Sequence, residues 1–364
     1  MRERTVDRRT VLAGMGTAMT SLGGCISTSP TPPGQSNAGQ GGDGSGDGSD
    51  TDILRAGGSS TVYPVVNKAA SYWTSNYPTS DEEYWGPEQY DISTDMRLAD
   101  YWASLYGFET DGNATPPFRV NVGLSHSGTG LEKIQNDQVD IANSSAPVSA
   151  EFPNKSEEEL SKFTDHVVAV DAQPLVVSKP VYDAGVTELT AEQVQAIYRG
   201  EVTDWTEIDA YDGPEREIQT VGRSEGSGTD TAFRTNMLGG PNAAMDGVDV
   251  RKGQNQQVKS LVSRSNNAIA YMALAFVDDS VPAISLTFEG TTYTPGENLS
   301  DPDYPLSRDL HCYTWDGTSK MEAAFLRMVI SDFGQENFAK PAGYSALTDE
   351  RQEAQLSKLP EPEQ

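Results

Sequence analysis

Two cysteines and three histidines in 364 residues are too few for a disulfide framework or a clustered metal centre. Cations are scarce as well: 26 Lys and Arg stand against 54 Asp and Glu, a formal charge of −28. That balance argues against nucleic acid, or an anionic membrane held by a basic face, as a partner. The chain contains no GxxxxGK[ST] loop and no His/Cys/Asp run with metal-ligand spacing, so an NTPase and a metalloenzyme lack their residues. Only 36% of the residues are hydrophobic, and the one sustained apolar run near the start is too short to span a bilayer.

The acid excess implies a heavily hydrated surface. With Lys supplying only ten of the cations, it suggests adaptation to molar salt. The first 25 residues read as an export signal, with paired Arg8 and Arg9 before an apolar run, as in twin-arginine leaders. The run ends in Leu22-Gly23-Gly24-Cys25, where Cys25 is the expected lipid attachment point. Residues 26–52 are Gly, Ser, Pro and Asp without apolar periodicity, a flexible tether. From Ile53 onward short apolar strands alternate with helices, the signature of an α/β fold, and the length suffices for two domains. Residues 78–118 read as an insertion with nine acids, one Arg and many aromatics. Leu98, Trp102 and Leu105 fall there at helical spacing, which predicts a helix packed on the body; a partner-docking surface is the alternative. Cys312, in the run HCYTW, is expected to be a buried free thiol.

A Gly/Ser/Thr turn leading into a helix occurs three times: from Ala56 (AGGSSTVYPVV), Leu124 (LSHSGTGLEKI) and Gly222 (GRSEGSGTDTAF). The first N–H groups of a helix have no internal partners and the helix dipole is positive there, so each turn can cradle an oxyanion. Arg223 adds a planar donor fork that matches two phosphate oxygens and stays charged at physiological pH. Ser227, Gly228 and Thr229 follow at a predicted helix start, while Ser127, Gly128 and Thr129 precede a helix expected near 130–138. Ser59, Ser60 and Thr61 precede the first helix, and simple capping is the competing role for all these hydroxyls. Glu225 is expected to orient the guanidinium, because its charge would repel an anion. At about 1 M salt the Debye length is roughly 3 Å, so distant carboxylates do not prevent a local anion site.

The chain resembles the substrate-binding proteins of the phosphate-specific ABC transporter family. The matching motifs are GGSSTVYPV at 57–65, SGTGLEKI at 127–134, VDIANSSAPV at 139–148, VGRSEGSGT at 221–229, NAIAYMALAFV at 267–277 and YPLSRDLHCYTW at 304–315. The resemblance implies a type II periplasmic-binding-protein fold: two α/β lobes joined by a hinge, with inorganic phosphate in the cleft between them. Lobe 1 is expected at 53–169 plus 286–364, and lobe 2 at 170–285. The implied phosphate contacts are Ser60, Thr61 and the backbone at Val62, then Ser127 with Gly128 and Thr129, then Arg223, Ser227, Gly228 and Thr229. At the position where some family members place an Asp that accepts the proton of hydrogen phosphate, this chain has Ser145, which can donate or accept. A monomer is expected because nothing in the chain resembles a long apolar interface stripe, and no cofactor, metal or catalysis is expected. It would be lipid-anchored on the extracellular face of the membrane and deliver phosphate to permease and ATPase subunits.

Three other readings compete. The same site could take sulfate, molybdate or tungstate. The fold could serve an extracellular sensor or adhesion module acting through residues 78–118. Ser127 or Ser227 could be imagined as a hydrolase nucleophile, but His126 is adjacent to Ser127 in sequence, and neighbours diverge on a helix.

Overall fold

A computed structural model describes residues 52–299, 301 and 303–363. The export signal, Cys25 and the tether up to residue 51 lie outside the described residues. The first half of the chain forms β1 (Ile53–Ser59), α1 (Tyr63–Ser75), α2 (Leu98–Ser104), β2 (Arg119–Ser125), α3 (Ser127–Ile134), β3 (Ile141–Ser144), the single turns α4 (Val148–Glu151) and α5 (Glu157–Leu160), and β4 (Phe163–Ala172). There follow β5 (Leu175–Val177), α6 (Lys179–Asp183), β6 (Glu188–Thr190), α7 (Ala191–Arg199), β7 (Gln219–Arg223), α8 (Gly228–Leu238), β8 (Val250–Lys252) and α9 (Asn255–Val262). The chain closes with β9 (Ala268–Tyr271), β10 (Ala283–Phe288), β11 (Thr291–Tyr293), β12 (Ser307–Trp315), α10 (Lys320–Ile330), α11 (Asp332–Gly334) and α12 (Asp349–Leu356).

Two sheets result, each with its own core. The first runs β2-β1-β3-β12-β4, with β1 parallel to β2 and β3, and β12 antiparallel to both its neighbours. The second runs β11-β10-β5-β9-β7-β8, with β6 beside β10. Helices cover the sheets because their apolar residues fall on one stripe. In α7, Val194, Ile197 and Tyr198 are buried, and the helix starts in a reciprocal cap between Thr190 and Gln193. An equivalent Ser319/Glu322 cap starts α10, whose buried face is continuous with that of α1 in the first core. No helix among the described residues is long and apolar enough to cross a membrane.

In residues 78–118, Leu98 and Trp102 are buried in the first core as the periodicity predicts, whereas Leu105 falls at the cap ending α2 and packs there half-buried; Trp85 and Tyr106 are buried beside them. Trp85 meets Phe333 edge to face at 5.2 Å, which ties the segment to the helices after β12. Cys312 is buried and free, as expected. Helix α3 starts at Ser127, earlier than the sequence suggested, because the Ser-Gly-Thr turn is itself helical; the chain leaves it before Asp137, which sits at φ 53°.

The chain passes between sheets twice. β4 ends at Ala172 and β5 begins at Leu175, and the return runs from β11 to β12. The two crossings lie side by side, since Gln173 N donates to Leu306 O (3.0 Å) and Tyr304 Oη donates to Gln173 O (3.1 Å). The expected return at 285/286 falls inside β10. This strand and β11 instead pair within the second sheet, and Leu299, Tyr304 and Leu306 fill its core. On the sheets, therefore, the second lobe reaches about residue 306, and the first takes up again at Ser307.

Candidate functional site

All three Gly/Ser/Thr turns meet where the two lobes face each other. β1 delivers Ser59, Ser60 and Thr61 before α1, β2 delivers Ser127 at the first position of α3, and β7 delivers Arg223 and then the start of α8. Each turn sits at the C-terminal end of a parallel strand, the usual place for a ligand crevice in open α/β sheets. Gly226 adopts φ 74°, a left-handed conformation that turns the chain from β7 into α8. Gly228 lies hard against the first lobe: a methyl group there would run into Ser127 Oγ and Ser145 Oγ.

Arg223 is 1% exposed, and its guanidinium is held entirely by neutral oxygens. Nε donates to Lys252 O (3.1 Å), Nη1 to Asn255 Oδ1 (2.7 Å), and Nη2 to Gly253 O (2.7 Å) and, across the cleft, to Ser60 Oγ (3.2 Å). Among the described residues no carboxylate pairs with it. Burial pulls its pKa down to about 10, still far above neutrality, so the charge persists. Glu225, expected to orient this side chain, is exposed and makes no hydrogen bond to it. The orienting groups are instead the Lys252 and Gly253 carbonyls and the Asn255 amide.

Hydroxyls bridge the lobes around that cation. Thr61 Oγ1 and Thr229 Oγ1 lie 3.1 Å apart, and Asn255 Nδ2 donates to both Ser60 Oγ (3.2 Å) and Thr61 Oγ1 (3.1 Å). Ser127 Oγ accepts from Ser145 N (3.2 Å) in its own lobe and from Gly228 N (3.1 Å) in the other. Ser59 Oγ donates to Ser145 Oγ (3.0 Å) and accepts from Thr61 N (3.2 Å). Ser145 is therefore fully buried beside the expected contacts, and its hydroxyl is engaged by Ser59. The N–H of Gly128 is engaged as well, donating to Gly226 O (3.2 Å). By contrast, the N–H groups of Val62, Thr129 and Thr229, at the starts of the three helices, have no acceptor among the described residues. Ser227 flanks α8 without capping it by its own side chain, so the simple-capping role does not describe it.

Several buried charges around the turns carried no sequence signal. Arg308 in β12 donates through Nη2 to Asp171 Oδ2 (2.6 Å) and reaches Thr61 Oγ1 (3.4 Å) and, through Nη1, Gly228 O (3.4 Å). Burial raises the pKa of Asp171 and Arg308 opposes the rise, so this pair is largely self-neutralised. Asp230 accepts from Tyr271 Oη (2.6 Å), Arg251 Nη1 (3.1 Å) and Arg234 Nε (2.7 Å). Glu151 lies against Gly128 and Thr231, with Oε1 buried and unpartnered, and burial pushes its pKa up to about 7. His126 is held below its usual pKa by burial and by Arg223. YPLSRDL at 304–310 was visible as a family motif, but nothing in it marks Arg308. Asn255 sits in the featureless run GQNQQ. Among the described residues no group of His, Cys, Asp and Glu has the placement to hold a metal ion.

Residues 98–332 match the PBP superfamily domain. The chain is 28% identical over 235 residues to a phosphate-binding protein PstS of Bacillus subtilis, an alignment spanning 64% of this chain and 73% of the relative. It is 24% identical over 328 residues to a protein of the same name from Staphylococcus epidermidis, spanning 87% and 86%. Among solved structures, it is similar in fold to a putative phosphate ABC transporter substrate-binding protein with bound phosphate from Clostridium perfringens. That likeness has a TM-score of 0.60 at 21% identity and covers 82% of this chain and all of the other.

Proposed function

Since this chain belongs to the PBP superfamily, we propose that it is an extracytoplasmic binding protein that captures inorganic phosphate and hands it to the permease of an ABC importer. The observation that carries the reading is Arg223: a buried cation with no carboxylate partner among the described residues, flanked by uncommitted N–H groups of three helix starts. A buried charge without a counter-ion is costly, and an oxyanion between the lobes supplies the missing one. In the proposed complex the anion takes its hydrogen bonds from Arg223, from the hydroxyls of Ser60, Thr61, Ser127, Ser227 and Thr229, and from the backbone N–H groups of Val62, Thr129 and Thr229, while the N–H groups of Gly128 and Gly228 brace the turns against Gly226 O and Ser127 Oγ. Ser145 lines the same place from behind. The lobes rotate about the paired crossings at Gln173 and Leu306 to admit and release it.

The reading involves no catalysis. Ser127 Oγ accepts two backbone N–H bonds, which supports a structural bridge rather than a nucleophile activated by a base. Within the same proposal the protein acts as a monomer on the outer face of the membrane, attached by lipid at Cys25. Lobe 1 comprises 53–172 and 307–364, and lobe 2 comprises 173–306. Calorimetric titration of the soluble chain with phosphate, with sulfate and molybdate in parallel, tests the cargo. One-to-one phosphate binding that sulfate does not displace supports phosphate import; preference for another oxyanion changes the cargo, and no binding removes the function.

A further inference from the structure

Residues 250–277 contain no Asp or Glu, whereas at the chain's overall density, 54 acids in 364 residues, a stretch of 28 would hold about four. The same stretch carries Arg251, Lys252, Lys259 and Arg264. In space it forms β8, the edge strand of the second sheet, then α9 and the buried strand β9; its exposed part is β8 with the adjoining face of α9. An open groove of about 1100 Å³ runs along that face, lined by Arg251, Lys252, Arg264, Gln256, Gln257 and Asn266 among others, and no lining residue is acidic. Arg264 is exposed and has no ion-pair partner among the described residues. The groove starts at the cleft: the carbonyls of Lys252 and Gly253 hold the Arg223 guanidinium, and Gly253 lies against His126 of the first lobe.

On the reading that the chain delivers phosphate to a permease, we propose that this acid-free groove of the second lobe is the face that docks on the membrane subunits, and that it receives an acid-bearing segment of the permease. Two considerations carry the assignment. Interface cores are depleted of Asp and Glu, because a carboxylate stripped of water must find a new partner, and on a chain of charge −28 this basic, acid-free groove avoids that cost. Its amides offer directional donors and acceptors in a concave channel, which fits a protein loop or helix better than a flat sheet of lipid headgroups. Contact here is also continuous with the rim of the cleft, so docking reads whether the lobes have closed.

The test places negative charge in the groove with the double variant Gln256→Glu/Arg264→Glu, neither residue touching the anion site. Phosphate affinity of the purified variant is measured by calorimetry, and uptake of labelled phosphate is measured in cells of the source organism carrying the same substitutions. Docking through this face predicts unchanged affinity and uptake reduced at least about tenfold. The variant Arg199→Glu/Asn242→Asp, the same change in charge at exposed positions elsewhere on the second lobe, should keep uptake. Normal uptake by the groove variant overturns the proposal, as does equal loss in both variants. A photo-crosslinker replacing Ser260 separates the other failures. A wild-type chain that does not bind phosphate defeats the functional reading alone, while a crosslink to the permease still supports docking. Crosslinking only to lipid, together with Arg264-dependent binding to protein-free phosphatidylglycerol vesicles, overturns the permease as occupant.

Discussion

Arg223 concentrates the electrostatic demand of the cleft, and its four acceptors are arranged for a planar fork. Arg223→Ala should weaken phosphate binding by about 2–5 kcal/mol in calorimetry with the thermal midpoint nearly kept. Arg223→Lys should recover little, because one ammonium cannot serve all four oxygens; an unaltered affinity in either variant would take the third turn out of the site. Glu151 is the second residue with a clear signature. Its pKa in the folded protein, about 7, exceeds the ordinary 4.5, so the folded state holds a proton that the unfolded chain has lost. Its contribution is therefore most favourable below about pH 4.5 and is lost as pH rises to about 7. Glu151→Gln should raise stability at pH 8, on the order of 3 kcal/mol, and change it little at pH 4, as read by denaturant melts at both pH values. The charged and hydroxylic residues of the three turns were legible because each turn is local in sequence. Asn255, Arg308 and Glu151 were not, since only the folding of α9, β12 and α4 onto the turns gives them neighbours.

At the level of elements, α8 shows how closely backbone approach and ligand reach are linked. Its first residue, Gly228, donates to Ser127 Oγ and leaves no room for a methyl group against Ser127 and Ser145. Gly228→Ala should hold the lobes apart and weaken anion binding by about 1–3 kcal/mol, the usual range for overpacking. Since the side chain meets the opposite lobe rather than its own core, the thermal midpoint should move far less than the affinity; a parallel fall in both would place the clash inside the second lobe. Helix α7 was legible from its one-sided apolar stripe and reciprocal cap, α8 from its Ser-Gly-Thr start and the closing Gly239, and so was the packing of Leu98 and Trp102. The β10-β11 hairpin was not, because its strands are short and half-exposed and the run before β12 looks like connecting loop. The sequence therefore points to a return to the first lobe at 285/286, some twenty residues before the sheets make it, since the second sheet continues to Tyr293.

For the molecule as a whole, the charge of −28 sets the dependence on salt. Most of its ion pairs are exposed, such as Arg55–Asp140 at 2.7 Å, and exposed pairs contribute little. Self-repulsion of the remaining acids is what screening relieves. The thermal midpoint should therefore rise by several degrees between about 0.2 M and about 2 M KCl; a midpoint that falls would show that the lost ion pairs outweigh the relieved repulsion. Sheet order carries a different consequence, one of timing. β12 is the only strand of the first sheet that follows the second lobe in the chain, and it lies between β3 and β4 rather than at an edge. A ribosome therefore releases the whole of 173–306 while the first sheet still has a gap in its middle. The second lobe can finish early; the first must wait, with β3 paired on its β1 side alone and β4 without a neighbour, until Trp315 emerges. A chain ending at residue 306 should show a protease-resistant fragment covering the second lobe alone, and resistance of both lobes would mean that β3 and β4 close without β12.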